Sequence, residues 1–137
     1  MRAFVLASAA ALLLAGCETA FVGRAPSGRF ALAEVDGRAV PPAAAPAQGC
    51  GPVLHDGWFE LDSLARRWEM QLSHRDSCSG QTVRETRETG SYLRRDGRLT
   101  LESADSRRWI ATEGGRTIGL RYDGRRLLFR QPERPRP

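Results

Sequence analysis

The sequence predicts an all-β protein, an antiparallel up-and-down meander of about eight strands that closes into a small barrel. Three observations lead to this fold class. Apolar and polar residues alternate with period two over short segments, turn residues separate these segments at hairpin length, and no long helical period follows residue 27. Because short turns favour pairing between consecutive strands, the meander is the topology with the lowest cost in loop entropy.

The first strand is predicted over residues 28–35 and ends at the turn pair Asp36-Gly37. This pair supplies residues with positive φ at low cost and is typical of a tight reversal. Strict alternation puts Val35 on the opposite face of the strand from Phe30, Leu32 and Glu34.

A long loop is predicted after this strand. Residues 38–40 continue as a short strand until Pro41-Pro42 stops further pairing. Residues 41–51 are rich in alanine, proline and glycine, which favours an exposed connection. Such loops carry function in some proteins and are harmless insertions in others, and both interpretations stay open.

The middle of the chain has the strongest strand patterns. Residues 53–61 alternate around Phe59 and Leu61, and residues 81–93 form a long polar strand. The clearest period-two pattern lies between them, over residues 68–74. One face of that segment carries Trp68, Met70, Leu72 and His74.

Three more hairpins complete the predicted meander. Their strands are centred on Leu99 and Leu101, on residues 109–112, on residues 118–122, and on Leu127 and Phe129. Closure of the sheet would remove its exposed edges, and a barrel of this size has room for side chains or one small ligand. The predicted core consists of Phe30, Leu32, Phe59, Leu61, Trp68, Met70, Leu72, Tyr92, Leu99, Leu101, Trp109, Ile118, Leu120, Leu127 and Phe129.

Two motifs carry a resemblance to known families. They are Leu32-x-x-Val35-Asp36-Gly37-x-x-Val40-Pro41, and Gly90-x-Tyr92 followed by Asp96-Gly97-x-Leu99-x-Leu101. Over residues 28–131 the chain resembles small lipocalin-like, calycin-type barrels of bacteria, and also META-type domains, although it lacks the Gly-Cys-Asn segment usual in the latter. The resemblance implies a lipocalin-like barrel and brings no catalytic residues.

The first seventeen residues predict an export signal. An arginine at position 2 precedes a short apolar run that is too short to span a bilayer. Leu14-Ala15-Gly16-Cys17 resembles the lipobox of bacterial lipoproteins, which implies removal of residues 1–16 and lipid attachment at Cys17. An ordinary secretory signal is the alternative.

This resemblance also implies where in the cell the protein is located. Residues 17–27 would tether a domain over residues 28–131, and the proline-spaced residues 132–137 are expected to be disordered. Glu18 favours an outer-membrane lipoprotein that faces the periplasm, while the inner membrane and the cell surface stay open.

Two further cysteines, Cys50 and Cys78, are predicted to form a disulfide in an oxidising exported compartment. With His55 and His74 they could in principle supply zinc ligands. The spacing lacks the close ligand pairs of structural zinc sites, so we predict no metal. No cofactor is expected.

The basic charge does not favour nucleic-acid binding. The formal net charge is +5, and all 21 basic residues are arginine. The arginines are scattered, mixed with acidic residues and mostly next to turns, rather than clustered into one stripe. We expect a monomer with a solvated surface, on which loose contact with anionic lipid is possible.

Catalysis is not predicted. His55 and His74 are the only candidate bases for a nucleophile, and no G-x-S-x-G motif is present. Glu85, Glu88 and Glu102 could act as acids or bases, but alternating charge around them favours ion pairs on a solvated face.

The sequence therefore favours a non-enzymatic, lipid-anchored envelope barrel that binds a small apolar ligand in its mouth or an envelope partner at its rim. Trp58, Trp68, His74 and Tyr92 are the candidate contact residues, and Trp58 is the aromatic residue expected to be most exposed. The alternative is an inhibitor of an exported enzyme, a lysozyme or a protease, with residues 18–27 or 41–51 as inhibitory arms. An envelope hydrolase is the third possibility.

Overall fold

Nine antiparallel β-strands form the fold in the computed structural model, which describes residues 27–40 and 49–133. No helix occurs within these ranges, and so none of them contains a helix that could cross a membrane. The strands are β1 (Gly28–Val35), β2 (Arg38–Ala39), β3 (Pro52–Asp62), β4 (Arg67–Asp76), β5 (Thr82–Arg95), β6 (Arg98–Ser103), β7 (Arg108–Gly114), β8 (Thr117–Tyr122) and β9 (Arg125–Arg130).

The sheet closes into a barrel, as the sequence predicts. Each strand from β3 to β9 pairs with the next one in the chain, and β1 pairs with both β3 and β9. Eight strands therefore form the ring, and the two residues of β2 add a short extra strand beside β1. Closure satisfies the backbone of both terminal strands, which would otherwise be exposed edges.

The barrel interior is filled by side chains. Residues with no more than 2% exposure include Phe30, Phe59, Leu61, Trp68, Met70, Leu99, Leu101, Ile118 and Phe129. The predicted core is confirmed except for Trp109, which is only partly buried and packs against the core. Val35, Leu54 and Ala111 belong to the core in addition.

Three register shifts interrupt the strand pairings, and the first of them explains the error in the predicted face of β1. They lie between Leu32 and Glu34 for β1 against β9, between Leu54 and Asp56 for β3 against β4, and between His74 and Arg75 for β4 against β5. A bulge inserts one residue and so transfers every later side chain to the opposite face. The prediction that Val35 lies opposite Phe30 and Leu32 is therefore wrong, because Val35 is buried with them.

Aromatic rings from three strands pack against one another in the barrel. Phe59 stacks on Trp68 with ring centres 5.8 Å apart, and the ring of Trp109 meets Trp68 edge-on at 5.7 Å. The indole N–H of Trp68 donates to the carbonyl of Glu102 across β5, at 3.4 Å. Gly90 permits this close approach, because a Cβ atom there would overlap the Glu102 carbonyl.

The barrel has two ends with different connections. We call one the disulfide end; it carries the turns at residues 36–37, 104–107 and 123–124, the connection at residues 77–81 and the start of β3. The predicted bond between Cys50 and Cys78 is confirmed there, with the two Cα atoms 5.3 Å apart. The opposite end, which we call the tail end, carries the turns at residues 63–66, 96–97 and 115–116 and both ends of the ring.

Residues 1–26, 41–48 and 134–137 lie outside the described residues. The predicted signal segment, Cys17, most of the tether, most of the long loop and most of the tail fall in these ranges.

Candidate binding site at the disulfide end

A groove opens between β1 and β3 at the disulfide end. The two strands pair only through residues 28–31 of β1, and the register of β3 against β1 stops at Trp58. Within the described residues, β3 has no strand partner on this side from Pro52 to Gly57. The β1–β3 groove has a volume of about 540 Å³ and is lined by Val35, Asp36, Arg38, Ala39, Val40, Pro52, Val53, Leu54 and Arg125.

A small cavity lies in the barrel mouth next to this groove. It has a volume of about 40 Å³, and we call it the mouth cavity. Leu54, His74 and Arg84 form one row across β3, β4 and β5, because each is the register partner of the next. Leu72, Tyr122, Asp123, Arg125 and Leu127 complete its lining. Leu54 and Arg125 line both spaces, so the groove and the mouth cavity are adjacent.

His74 has an unsatisfied nitrogen in this cavity. Its Nδ1 atom is shielded from solvent and has no hydrogen-bond partner among the described residues. Burial lowers the pKa of His74, and the positive charges of Arg84 and Arg125 lower it further, followed by His55; Asp123 opposes them. The imidazole therefore favours its neutral form in the absence of an added negative charge.

The arginines of the mouth cavity are only partly neutralised. Arg125 lies 3.5 Å from the carboxylate of Asp36. The Arg84 side chain makes no ion pair or hydrogen bond with any described residue. An exposed guanidinium without such a counter-ion, next to an unsatisfied imidazole, makes this cavity complementary to a small anion.

Glu88 lies inside the barrel, so the prediction of a solvated face at this position is wrong. It is 8% exposed, and its carboxylate accepts hydrogen bonds from the Tyr122 hydroxyl at 2.8 Å and from Arg107 at 2.9 Å. Arg107 also donates to Asp105 at 2.7 Å. Burial, and then the bond to Glu88, raises the pKa of Tyr122 to about 12.

This network ties the β6–β7 hairpin to the barrel interior. Arg107, at the hairpin, lies over the Trp109 ring with its guanidinium carbon 5.2 Å from the ring centre. The sequence contained a signal for Glu88 that we missed, because alternation from Tyr92 through Gly90 leads to Glu88 on the same face. Both carboxylate oxygens are satisfied, which indicates a structural role.

The four predicted contact residues do not lie in one place. His74 borders the mouth cavity. Trp68 is 2% exposed in the core, and Tyr92 is 6% exposed on the tail-end side of Gly90. Trp58 is half-buried on the outer face of β3, with the Arg29 guanidinium carbon 4.1 Å above its ring.

At the tail end, a buried glutamate pairs with an exposed arginine. The Glu113 side chain is 5% exposed and accepts a hydrogen bond from Arg94 at 2.7 Å. Burial raises the pKa of Tyr92, and the negative charges of Glu113 and Asp62 raise it further.

The described residues do not place either histidine beside a nucleophile. Neither His55 nor His74 hydrogen-bonds to a hydroxyl or thiol group in them; His55 contacts the Ser73 carbonyl at 3.0 Å. Within the same ranges, histidine, cysteine and acidic side chains form no cluster that could hold a metal ion. The two cysteines present there are joined in the disulfide.

Comparison of the chain with protein-family models, with curated proteins and with solved structures found no match.

Proposed function

We propose that this protein is a non-enzymatic lipoprotein of the bacterial envelope, anchored by lipid at Cys17, that binds a partner protein at the disulfide end of its barrel. The filled interior is the observation that carries the choice of a protein partner. Phe30, Phe59, Met70 and Phe129 are all 0% exposed, and they occupy the space in which a barrel would otherwise hold a small apolar ligand.

The β1–β3 groove supports the proposed place of binding. It has an apolar floor that includes Val35 and Leu54, and Arg38 and Arg125 lie among its polar lining. Beside it, the stretch of β3 that has no partner toward β1 among the described residues offers main-chain donors and acceptors. An added strand from a partner would satisfy such groups, which is a common mode of peptide recognition. An inhibitor of an exported lysozyme or protease would be a special case, in which the partner is the enzyme.

The anchor can be tested by fractionation. Cells that produce the Cys17→Ala variant should lose the protein from the membrane fraction, because the thiol that accepts the lipid is missing. The wild-type chain, expressed at the same level, is the control. Membrane retention of the variant equal to that of the wild type would contradict lipid anchoring.

The partner surface can be tested by cross-linking in cells. A photoreactive amino acid at Val53 would lie in the β1–β3 groove, whereas the same group at Leu64, which is 97% exposed at the tail end, is the matched control. We expect a discrete protein adduct from position 53 and not from position 64. Native mass spectrometry of the purified protein would detect a bound small molecule. A retained small apolar molecule, together with no protein adduct from position 53, would contradict the proposal.

A further inference from the structure

We propose that the mouth cavity is a carboxylate site, which receives the C-terminal carboxylate of the partner segment that lies in the β1–β3 groove. This inference rests on the proposed partner-binding function and names the chemistry of the partner: an extended apolar segment that ends in a free carboxylate.

The mouth cavity has room for a small chemical group. Its volume of about 40 Å³ has room for about three water-sized groups, since one such group needs roughly 10–15 Å³. This suits a single carboxylate better than a bulkier head group. The apolar lining by Leu54, Leu72 and Leu127 excludes a fully hydrated ion.

The polar groups of the cavity favour a ligand with a negative charge. Arg84 has no counter-ion among the described residues, and a guanidinium binds a carboxylate with two parallel hydrogen bonds. Arg125 lies 3.5 Å from Asp36, so it retains donors for a ligand. His74 adds its unsatisfied Nδ1 as a third group. His55, and Asp123, whose carboxylate also lines the cavity, are the other titratable groups that act on His74.

The adjacency of the two spaces favours one source of the carboxylate. Leu54 and Arg125 line both the mouth cavity and the groove, so a chain that lies in the groove has the mouth cavity as its neighbour. The β3 edge that has no partner toward β1 among the described residues can hydrogen-bond to a peptide backbone and cannot do so to a hydrocarbon chain. This difference favours a protein C-terminus over a fatty acid.

The test uses the protein purified from membranes of cells that express the full-length chain. The chain has only two histidines, so isotope-labelled histidine gives one imidazole spectrum for His74 and one for His55. The probes are acetate, the peptide acetyl-Thr-Val-Thr-Val-Val with a free carboxylate, the same peptide as a C-terminal amide, and decanoate. We expect acetate and the free peptide to raise the pKa of His74, because a bound anion stabilises the imidazolium.

Variants give the quantitative expectation. Arg84→Gln should weaken binding of the free peptide about tenfold or more, because a hydrogen bond to a charged group is lost. Arg121→Gln is the matched control, since Arg121 is an exposed arginine on β8 outside the mouth cavity. The amide peptide should bind about tenfold more weakly than the free peptide to the wild-type protein.

Four outcomes would overturn the inference. The pKa of His74 could remain unchanged with both acetate and peptide, or the amide could bind as tightly as the free carboxylate. Decanoate could bind more tightly than the free peptide, which would make the occupant lipid-like. Replacement of residues 41–48 by a Gly-Ser linker could be required for peptide binding, which would make the chain's own segment the occupant of the groove. A persistent cross-link at position 53 alongside any of these would preserve the proposed partner binding and reject only the carboxylate site.

Discussion

The two ends of the barrel hold similar glutamate–arginine pairs but differ in the other polar groups next to them. Each buries a glutamate against an arginine: Glu113 with Arg94 at the tail end, and Glu88 with Arg107 at the disulfide end. At the disulfide end, an exposed Arg84 and an unsatisfied His74 nitrogen remain after Glu88 is satisfied. At the tail end, the atom left without a hydrogen-bond partner among the described residues is an oxygen of Glu113 itself. The disulfide end therefore differs in having an arginine and an imidazole beyond its glutamate–arginine pair, which is why we propose binding at that end.

Removal of the disulfide should have the largest effect on this comparison. The bond joins residues 28 positions apart, and in the chain-entropy model its loss costs about 3–4 kcal/mol. We expect Cys50→Ser with Cys78→Ser to lower the free energy of unfolding by this amount in urea titration. Hydrogen exchange should increase mainly at the start of β3 and of β5. An equal increase in the turns of the tail end would show that the two ends are not independent.

The two buried glutamates provide a matched pair of substitutions. Glu88→Gln replaces an acceptor of two hydrogen bonds from Tyr122 and Arg107, whereas one Glu113 oxygen has no hydrogen-bond partner in the described part of the chain. We expect Glu88→Gln to cost about 2 kcal/mol of stability and Glu113→Gln about 1 kcal/mol. Urea titration of both variants under one condition checks the difference. A larger loss of stability from the Glu113 substitution would mean that the Glu113 carboxylate makes the stronger hydrogen bonds of the two.

The pH dependence of stability should distinguish the contribution of His74 at the barrel mouth from the contribution of the turn carboxylates. The pKa of His74 is lowered in the native state, first by burial and then by Arg84 and Arg125. The unfolded chain then binds more protons, so stability should fall as the pH drops from the ordinary value of 6.5 through the lowered native pKa. His74→Gln should remove this dependence in urea titrations at stepped pH. A slope that persists in the variant would place the responsible group elsewhere.

The turn carboxylates act in a lower window. Hydrogen bonds from the backbone N–H groups of Ser79 and Cys78 lower the pKa of Asp76, and bonds from Ser103 and Arg107 lower the pKa of Asp105. Their stabilisation is present above 3.8 and is lost as the pH falls through the lowered native values. This loss should therefore remain in the His74→Gln variant.

The smallest stability effect is expected at Arg84. Because it is exposed at the mouth and has no counter-ion among the residues described, Arg84→Gln should change the free energy of unfolding by no more than about 0.5 kcal/mol. The same substitution should raise the pKa of His74 toward its ordinary value, because one of its positive neighbours is removed. Histidine-labelled NMR measures this shift. An unchanged pKa would mean that the guanidinium does not face the imidazole.

Local patterns predicted the strands, because alternation and turn residues act over neighbouring positions. The disulfide followed from the pairing of two cysteines in an oxidising compartment. Side-chain direction after Leu32 was not predictable in this way, because a bulge shifts the faces without changing composition. Glu88 was assigned to solvent from its charged neighbours, although its parity with Tyr92 pointed inward.

The candidate site was harder to predict than the fold. Leu54, His74 and Arg84 meet only because three strands pair in a particular register, and Arg125 joins them only because the ring closes. Closure and register are set by the whole sheet, so no local pattern could bring these residues together. His74 alone was identified from sequence, through its place at the end of a strong strand pattern.

Closure of the ring also places the start of the domain at the tail end, which limits the distance between that end and a membrane. Ser27 and Gln131 are neighbours at the tail end, where the Gln131 side chain donates to the Ser27 carbonyl at 3.0 Å. With lipid at Cys17, as we propose, the ten residues before Ser27 could span at most about 35 Å. The anchor would then hold the tail end within this distance of the bilayer, and the groove and the mouth cavity lie at the other end of the barrel.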